Sequence, residues 1–186
     1  MRYCVKRHQL GFETEKGIQK VSRIVVCDTG PLIHLSEAQA IHLLKAAGDI
    51  LIPPGVVTEF KRNLSKWKLP DWIQIQPLDV QSNAQAKAWI QNNLVDPGEA
   101  EAIGLALQKQ CDWLLTDDAK ARRFAEGLGL EAHGSIGLLL WAIASGHVES
   151  REKAYHMLNG LKRSSLWISE RALQEATRAI DELTSE

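Results

Sequence analysis

Residues 24–33, Ile24-Val25-Val26-Cys27-Asp28-Thr29-Gly30-Pro31-Leu32-Ile33, decide how the rest of the chain is read. The apolar run lacks polar alternation, as suits a parallel strand covered on both faces. Gly30 and Pro31 then break the extended chain, and Leu32, Ile33 and Leu35 begin a helical spacing. A strand that ends in Asp delivers a carboxylate to the carboxyl edge of a sheet, where ligands collect in open α/β folds.

Downstream, Leu35, Ala38, Ile41 and His42 keep a spacing of three and four, which predicts one helix that continues through Leu43 and Leu44 until Gly48 stops it. Asp49 to Ile52 reads as a strand, and Pro53-Pro54 ends it and opens a helix through Val56, Val57 and Phe60, with Glu59 in its early turns. Ile73 to Gln76 alternates as a half-buried strand. A helix over 82–93 centres on Ala84, Ala88 and Trp89, and Asp96-Pro97-Gly98-Glu99 opens another that runs to Lys109. Trp113 to Thr116 is a buried strand with Asp117-Asp118 at its exit. A helix over 119–126, a short strand over 131–133, an apolar helix over 135–145 and two terminal amphipathic helices follow. The alternation predicts an α/β fold with a parallel sheet and helices on both faces. Residues 1–22 are polar and without period, so a loose arm or edge hairpin is expected there, ahead of one domain over 23–186.

Composition narrows the classes. With 186 residues, 45% hydrophobic and 24% charged, the chain has the makings of one globular core. A net charge of -1 means that any nucleic-acid contact must come from a local basic patch. Cys4, Cys27 and Cys111 are odd in number and form no CxxC pair, which points to reduced thiols in a cytoplasmic protein rather than a disulfide framework or zinc site. No apolar run reaches the ~20 residues of a membrane span, and Lys6, Arg7 and His8 have no apolar core of a secretory signal behind them.

Acids fall at strand exits or opening helical turns in four places: Asp28, Glu59, Glu99 with Glu101, and Asp117 with Asp118. In a parallel sheet all of these belong to one edge. Clustered carboxylates repel, and a hard divalent cation such as Mg2+ or Mn2+ relieves that repulsion through oxygen ligands. The chemistry that follows is metal-dependent phosphodiester hydrolysis with one or two ions. Each acid alone has a local explanation: Asp28 in a turn, Glu59 solvated, Glu99 in a capping box with Asp96, Asp117 and Asp118 as a capping pair. Their convergence is what speaks for a site. Glu99 shares a helical face with Ile103, Ala106 and Leu107, whereas Glu101 points with Gln108 to the polar side, so Glu99 is the better inward ligand and Glu101 the second choice. Nothing separates Asp117 from Asp118.

Four motifs in this order, VVCDTGPLI at 25–33, IPPGVVTEF at 52–60, DPGEAEAIGLAL at 96–107 and LLTDDAKARRFAEGLGL at 114–130, resemble the PIN-domain family of ribonucleases. The tail LNGLKRSSLWISERAL also looks like that of a prokaryotic subgroup. The resemblance implies a three-layer α/β/α sandwich and Mg2+- or Mn2+-dependent cleavage of RNA. Many prokaryotic members are toxins neutralised by an antitoxin, and the chain is a candidate for that role. By motif, the acids are Asp28, Glu59, Glu99 and either Asp117 or Asp118. Members commonly carry Asp at the third position, and Glu99 adds one methylene there. The resemblance also suggests a homodimer formed through helices, for which the 135–145 helix or the terminal helices would serve.

An RNA nuclease of near-neutral charge needs local cations. Lys120, Arg122 and Arg123 follow the Asp pair, and Lys61 and Arg62 follow Glu59, so both groups are candidates for phosphate contacts, with solvated helix faces as the plain alternative. Trp67 and Trp72 are candidates for base stacking, against the commoner use of Trp in packing. His34 and His42 have no nameable partner and receive no role. A phosphatase of the haloacid dehalogenase type would need Asp where Gly30 stands. The remaining rival is a PIN-like nucleic-acid-binding or scaffold protein without turnover.

Overall fold

Successive side chains of a strand point to opposite faces, so a strand apolar at every position must be covered twice. That is the arrangement of β1 (Ile24–Cys27) in the computed structural model, which describes residues 22–64 and 67–185. Val25 and Cys27 join one apolar cluster and Val26 joins the other. Its neighbours β2 (Asp49–Ile52) and β4 (Trp113–Leu115) divide in the same way, Leu51 and Leu114 facing with Val26, and Ile50, Ile52, Trp113 and Leu115 with Val25. Short β3 (Gln74–Ile75) and β5 (Ala132–His133) complete an all-parallel sheet of order β3-β2-β1-β4-β5.

Helices form the two outer layers. One face carries α1 (Thr29–Glu37), α2 (His42–Ala47), α3 (Pro54–Asn63), α7 (Ser135–Ala144), α8 (Arg151–Arg163) and α9 (Glu170–Leu183). The other carries α4 (Val80–Gln91), α5 (Pro97–Lys109) and α6 (Ala119–Gly127). The chain is therefore the α/β/α sandwich that the alternation and the resemblance led us to expect. Because the connections run to β2 on one side of β1 and to β4 on the other, the carboxyl ends of β1 and β4 bracket a topological switch point, the usual crevice for a ligand.

Three expectations change. The one helix expected from Leu32 until Gly48 stops it is two helices, α1 and α2. The chain turns at Gln39, which holds the left-handed φ of 57°, while Ala38 N–H and Ala40 N–H donate to the carbonyls of His34 and Leu35. The turn makes room for α8: a Cβ on Gly160 would lie 3.0 Å from the Ala38 carbonyl oxygen. On α4 the buried side chains are Ala86 and Trp89, whereas Ala84 and Ala88 are exposed. At the sheet edge, Ile73 is buried but Ile75 is half exposed.

The apolar α7 is covered within its own chain by α2, α8 and α9, which leaves the terminal helices as the freer surfaces of the two considered for a dimer. Among the described residues, Cys27 is buried and Cys111 half-buried, both as free thiols, and no helix is long and apolar enough to cross a membrane. The expected arm, apart from Ser22, and Cys4 within it lie outside the described residues.

Candidate active site

Asp28 is the last residue before α1 and serves as its N-cap. Its Oδ1 accepts from Thr29 N–H at 2.7 Å and its Oδ2 from the Thr116 hydroxyl at 3.1 Å, which fixes the carboxyl between the ends of β1 and β4. Only 6% of the residue is exposed. Burial, with the charges of Glu99 and Glu59 behind it, pushes the carboxyl up to about 7 against the pull of the two hydrogen bonds.

The other acids come from different elements. Glu59, on α3, accepts from the Thr29 hydroxyl through Oε2 at 2.8 Å. The start of α5 closes on the same point: a Cβ at Gly98 would stand 2.7 Å from Glu59 Oε2 and 3.8 Å from Asp28 Oδ1. Glu99 is the third residue of α5, and its Oε2 accepts from Asp96 N–H at 2.9 Å, the return half of a capping box. Burial holds its carboxyl above the usual range, reinforced by Asp118 and Asp96 and opposed by the Asp96 N–H and by Lys120.

Asp117 and Asp118 are separated by their partners. Asp117 turns into the fold, where Oδ1 accepts from Ser135 N–H at 2.6 Å and Oδ2 from the Ser135 hydroxyl at 2.6 Å and His34 Nδ1–H at 2.7 Å. Asp118 is exposed and caps α6, accepting from Lys120 N–H and Ala121 N–H at 2.7 Å each. Glu101 likewise answers a helix terminus, accepting from Gly55 N–H at the start of α3 at 2.9 Å. All six acids nevertheless line one cleft of about 1350 Å3.

Among the described residues, no three His, Cys, Asp or Glu side chains stand close enough to grip an ion as they lie. The reason is visible in the bonds just given: Glu99 is turned back to Asp96 N–H, and Asp117 is spent on Ser135 and His34. The donor set is nonetheless all oxygen and suits a hard cation in its chemistry. Of the basic candidates, Arg62 and Arg122 line the cleft, and Arg122 Nη1 donates to the Thr116 carbonyl at 3.5 Å. Lys120 donates to the Asn93 carbonyl at 3.0 Å, and Lys61 and Arg123 are exposed outside the cleft lining. Trp67 is exposed but away from the cleft lining, and Trp72 packs on the core.

Thr29, Thr116, Ser135 and His34 are site residues that sequence reasoning passed over. Thr29 and Thr116 had a signal, since each is next to an acid at a strand exit. Ser135 opens the helix after β5, at the same edge of the sheet. His34 had none, because its partner lies 83 residues away.

Acids gathered at the switch point of a five-stranded parallel sheet, between helical layers, define an α/β protein with an oxygen-rich cleft of the kind used by hydrolases. A family model described as a PIN domain matches residues 24–182, and the chain belongs to that family, whose members are generally nucleases. No curated protein matches the chain.

Proposed function

We propose that the chain is an endoribonuclease that hydrolyses RNA phosphodiester bonds with Mg2+ or Mn2+ at this cleft. One observation carries the reading: Asp28 is buried beside two further carboxylates, and among the described residues both of its oxygens are met by neutral donors rather than by a cationic side chain. A carboxyl raised to about 7 in that setting keeps its proton below neutral pH, and a cation beside it would favour the ionised form. Asp28, Glu59 and Glu99 would hold the ion, with Asp117 or Asp118 as the fourth acid. Bound there, the ion supplies an activated water and offsets charge on the phosphate.

The chain's own residues do the rest. Thr29 and Thr116 fix Asp28, and the Thr29 hydroxyl aims Glu59. Ser135 and His34 hold the Asp117 carboxylate in place through both of its oxygens. Arg122 and Arg62, which line the cleft, would meet phosphate oxygens with charge-assisted hydrogen bonds.

The test is Mn2+-dependent cleavage of RNA by wild type and Asp28→Asn. Wild type cleaves, and the variant falls by roughly 100-fold or more, the scale of losing a metal-held reacting group. A toxin role, also part of the proposal, predicts growth arrest on expression of wild type and none with the variant. An antitoxin would be the protein that relieves the arrest. The rival is a binding module without turnover, favoured by Glu99, whose carboxylate is engaged in its own helix cap. RNA binding by wild type with no Mn2+-dependent cleavage would decide for it.

A further inference from the structure

We infer that Trp167, exposed at the lining of the cleft, stacks on one unstacked base of a single-stranded RNA whose phosphodiester lies at the acids; this rests on the nuclease reading above. Trp167 is 84% exposed, far more than a Trp used for packing. It also lines the cleft that holds Asp28 and Glu59.

The exposure is built in. Trp167 sits in the connection between α8 and α9, where its neighbours Leu166 and Ile168 turn inward and pack on the core. The connection is pinned at both ends. Glu37 accepts from Ser165 N–H at 2.7 Å and from the Ser165 hydroxyl at 2.8 Å, and Ser169 caps α9. An indole held outward from an anchored segment loses little conformational freedom when a flat group stacks on it.

The cleft lining offers two kinds of surface with different guests. At the ends of β1 and β4 stand carboxylates, with Arg62 and Arg122 also in the lining. Trp167 and its sequence neighbour Ile168 join the apolar Ile136 and Leu140 of α7 and Ala172 and Ala176 of α9, while Glu175 of α9 is paired with Arg171 at 2.9 Å. A phosphate belongs with the carboxylates once a cation is present. An uncharged aromatic base belongs with Trp167 and the apolar residues. A base inside a duplex already has both faces covered, so the substrate is single-stranded.

The experiment measures binding of fluorescein-labelled oligoadenylate by anisotropy, in an Asp28→Asn background that prevents turnover, with Trp167, Trp167→Phe and Trp167→Ala. Cleavage of the same probe with Mn2+ is followed in the otherwise native chain. Stacking on an aromatic predicts that Trp167→Ala weakens binding by about 5- to 100-fold and raises KM with kcat nearly unchanged, while Phe keeps most of the affinity. Oligoadenylate annealed to oligouridylate binds more weakly than the single strand. The inference is overturned if Trp167→Ala binds and cleaves like wild type. It is overturned equally if that variant changes only the oligomeric state in sedimentation, which would make Trp167 a protein contact. Wild type that binds the probe through Trp167 without cleaving it removes the nuclease reading and leaves the stacking site standing, whereas wild type that binds no RNA removes both.

Discussion

A methyl group on Gly98 would stand 2.7 Å from Glu59 Oε2, closer than a carbon and a carboxylate oxygen approach without one of them moving. Gly98 has no left-handed φ, and Ala is the better helix former by up to about 1 kcal/mol. Gly98→Ala should therefore keep or raise Tm while pushing Glu59 off the Thr29 hydroxyl and lowering Mn2+ affinity at least about 10-fold. Calorimetry of unfolding and of Mn2+ binding on the same samples checks both halves; unchanged Mn2+ affinity would mean that Glu59 is not a ligand. At this scale Asp28 was legible because a strand of Ile and Val that ends in Asp has one place to put its carboxylate. The choice between Asp117 and Asp118 was not. Two acids in a row differ only in what each meets, and what Asp117 meets comes from Ser135 on α7 and His34 on α1.

Glu101 shows how a helix wheel can mislead at the scale of elements. The wheel turns it to the polar side of α5, yet α3 packs there and presents the free Gly55 N–H that Glu101 accepts. Loss of one such cap costs about 1 kcal/mol, which is about 2–4 °C in Tm for a chain of this size. Glu101→Ala should show that drop in a thermal melt and change Mn2+-dependent cleavage by less than about 3-fold. A large loss of cleavage with an unchanged melt would make Glu101 a ligand instead. Most elements were legible from periodicity, since Pro53-Pro54 and Asp96-Pro97 announce α3 and α5 in plain local terms. The break between α1 and α2 was not, because Leu35, Ala38 and Ile41 keep helical spacing across it. The turn at Gln39 answers to α8, whose Gly160 lies against Ala38 and which enters the chain more than a hundred residues later.

The molecule as a whole is set by the order of strands, and no local pattern encodes it. Continuous apolar strands announced a parallel sheet covered twice, but that β1 lies between β2 and β4, with the switch point at Asp28, follows from packing both layers at once. The same burial gives the fold a pH dependence whose sign is fixed. Asp28 titrates near 7 in the folded protein against an ordinary 3.8, so below about pH 4 both folded and unfolded chains hold the proton and the carboxyl costs little. Between about pH 4 and 7 the unfolded chain ionises while the folded one keeps its proton, and stability falls, by roughly 4 kcal/mol at most if Asp28 acts alone. Glu99, raised in the same direction, adds to the slope. Without divalent cations, Tm should therefore fall from about pH 5 to about pH 8, and Asp28→Asn should flatten much of that fall and melt higher than wild type at the upper end. Mn2+ needs the ionised carboxylate, so its stabilisation of wild type should be larger at about pH 8 than at about pH 6, and small in the variant. Melting curves over that range, with and without Mn2+, test the whole chain of reasoning: parallel pH slopes for the two proteins would mean that Asp28 is not the strained group at the centre of the fold.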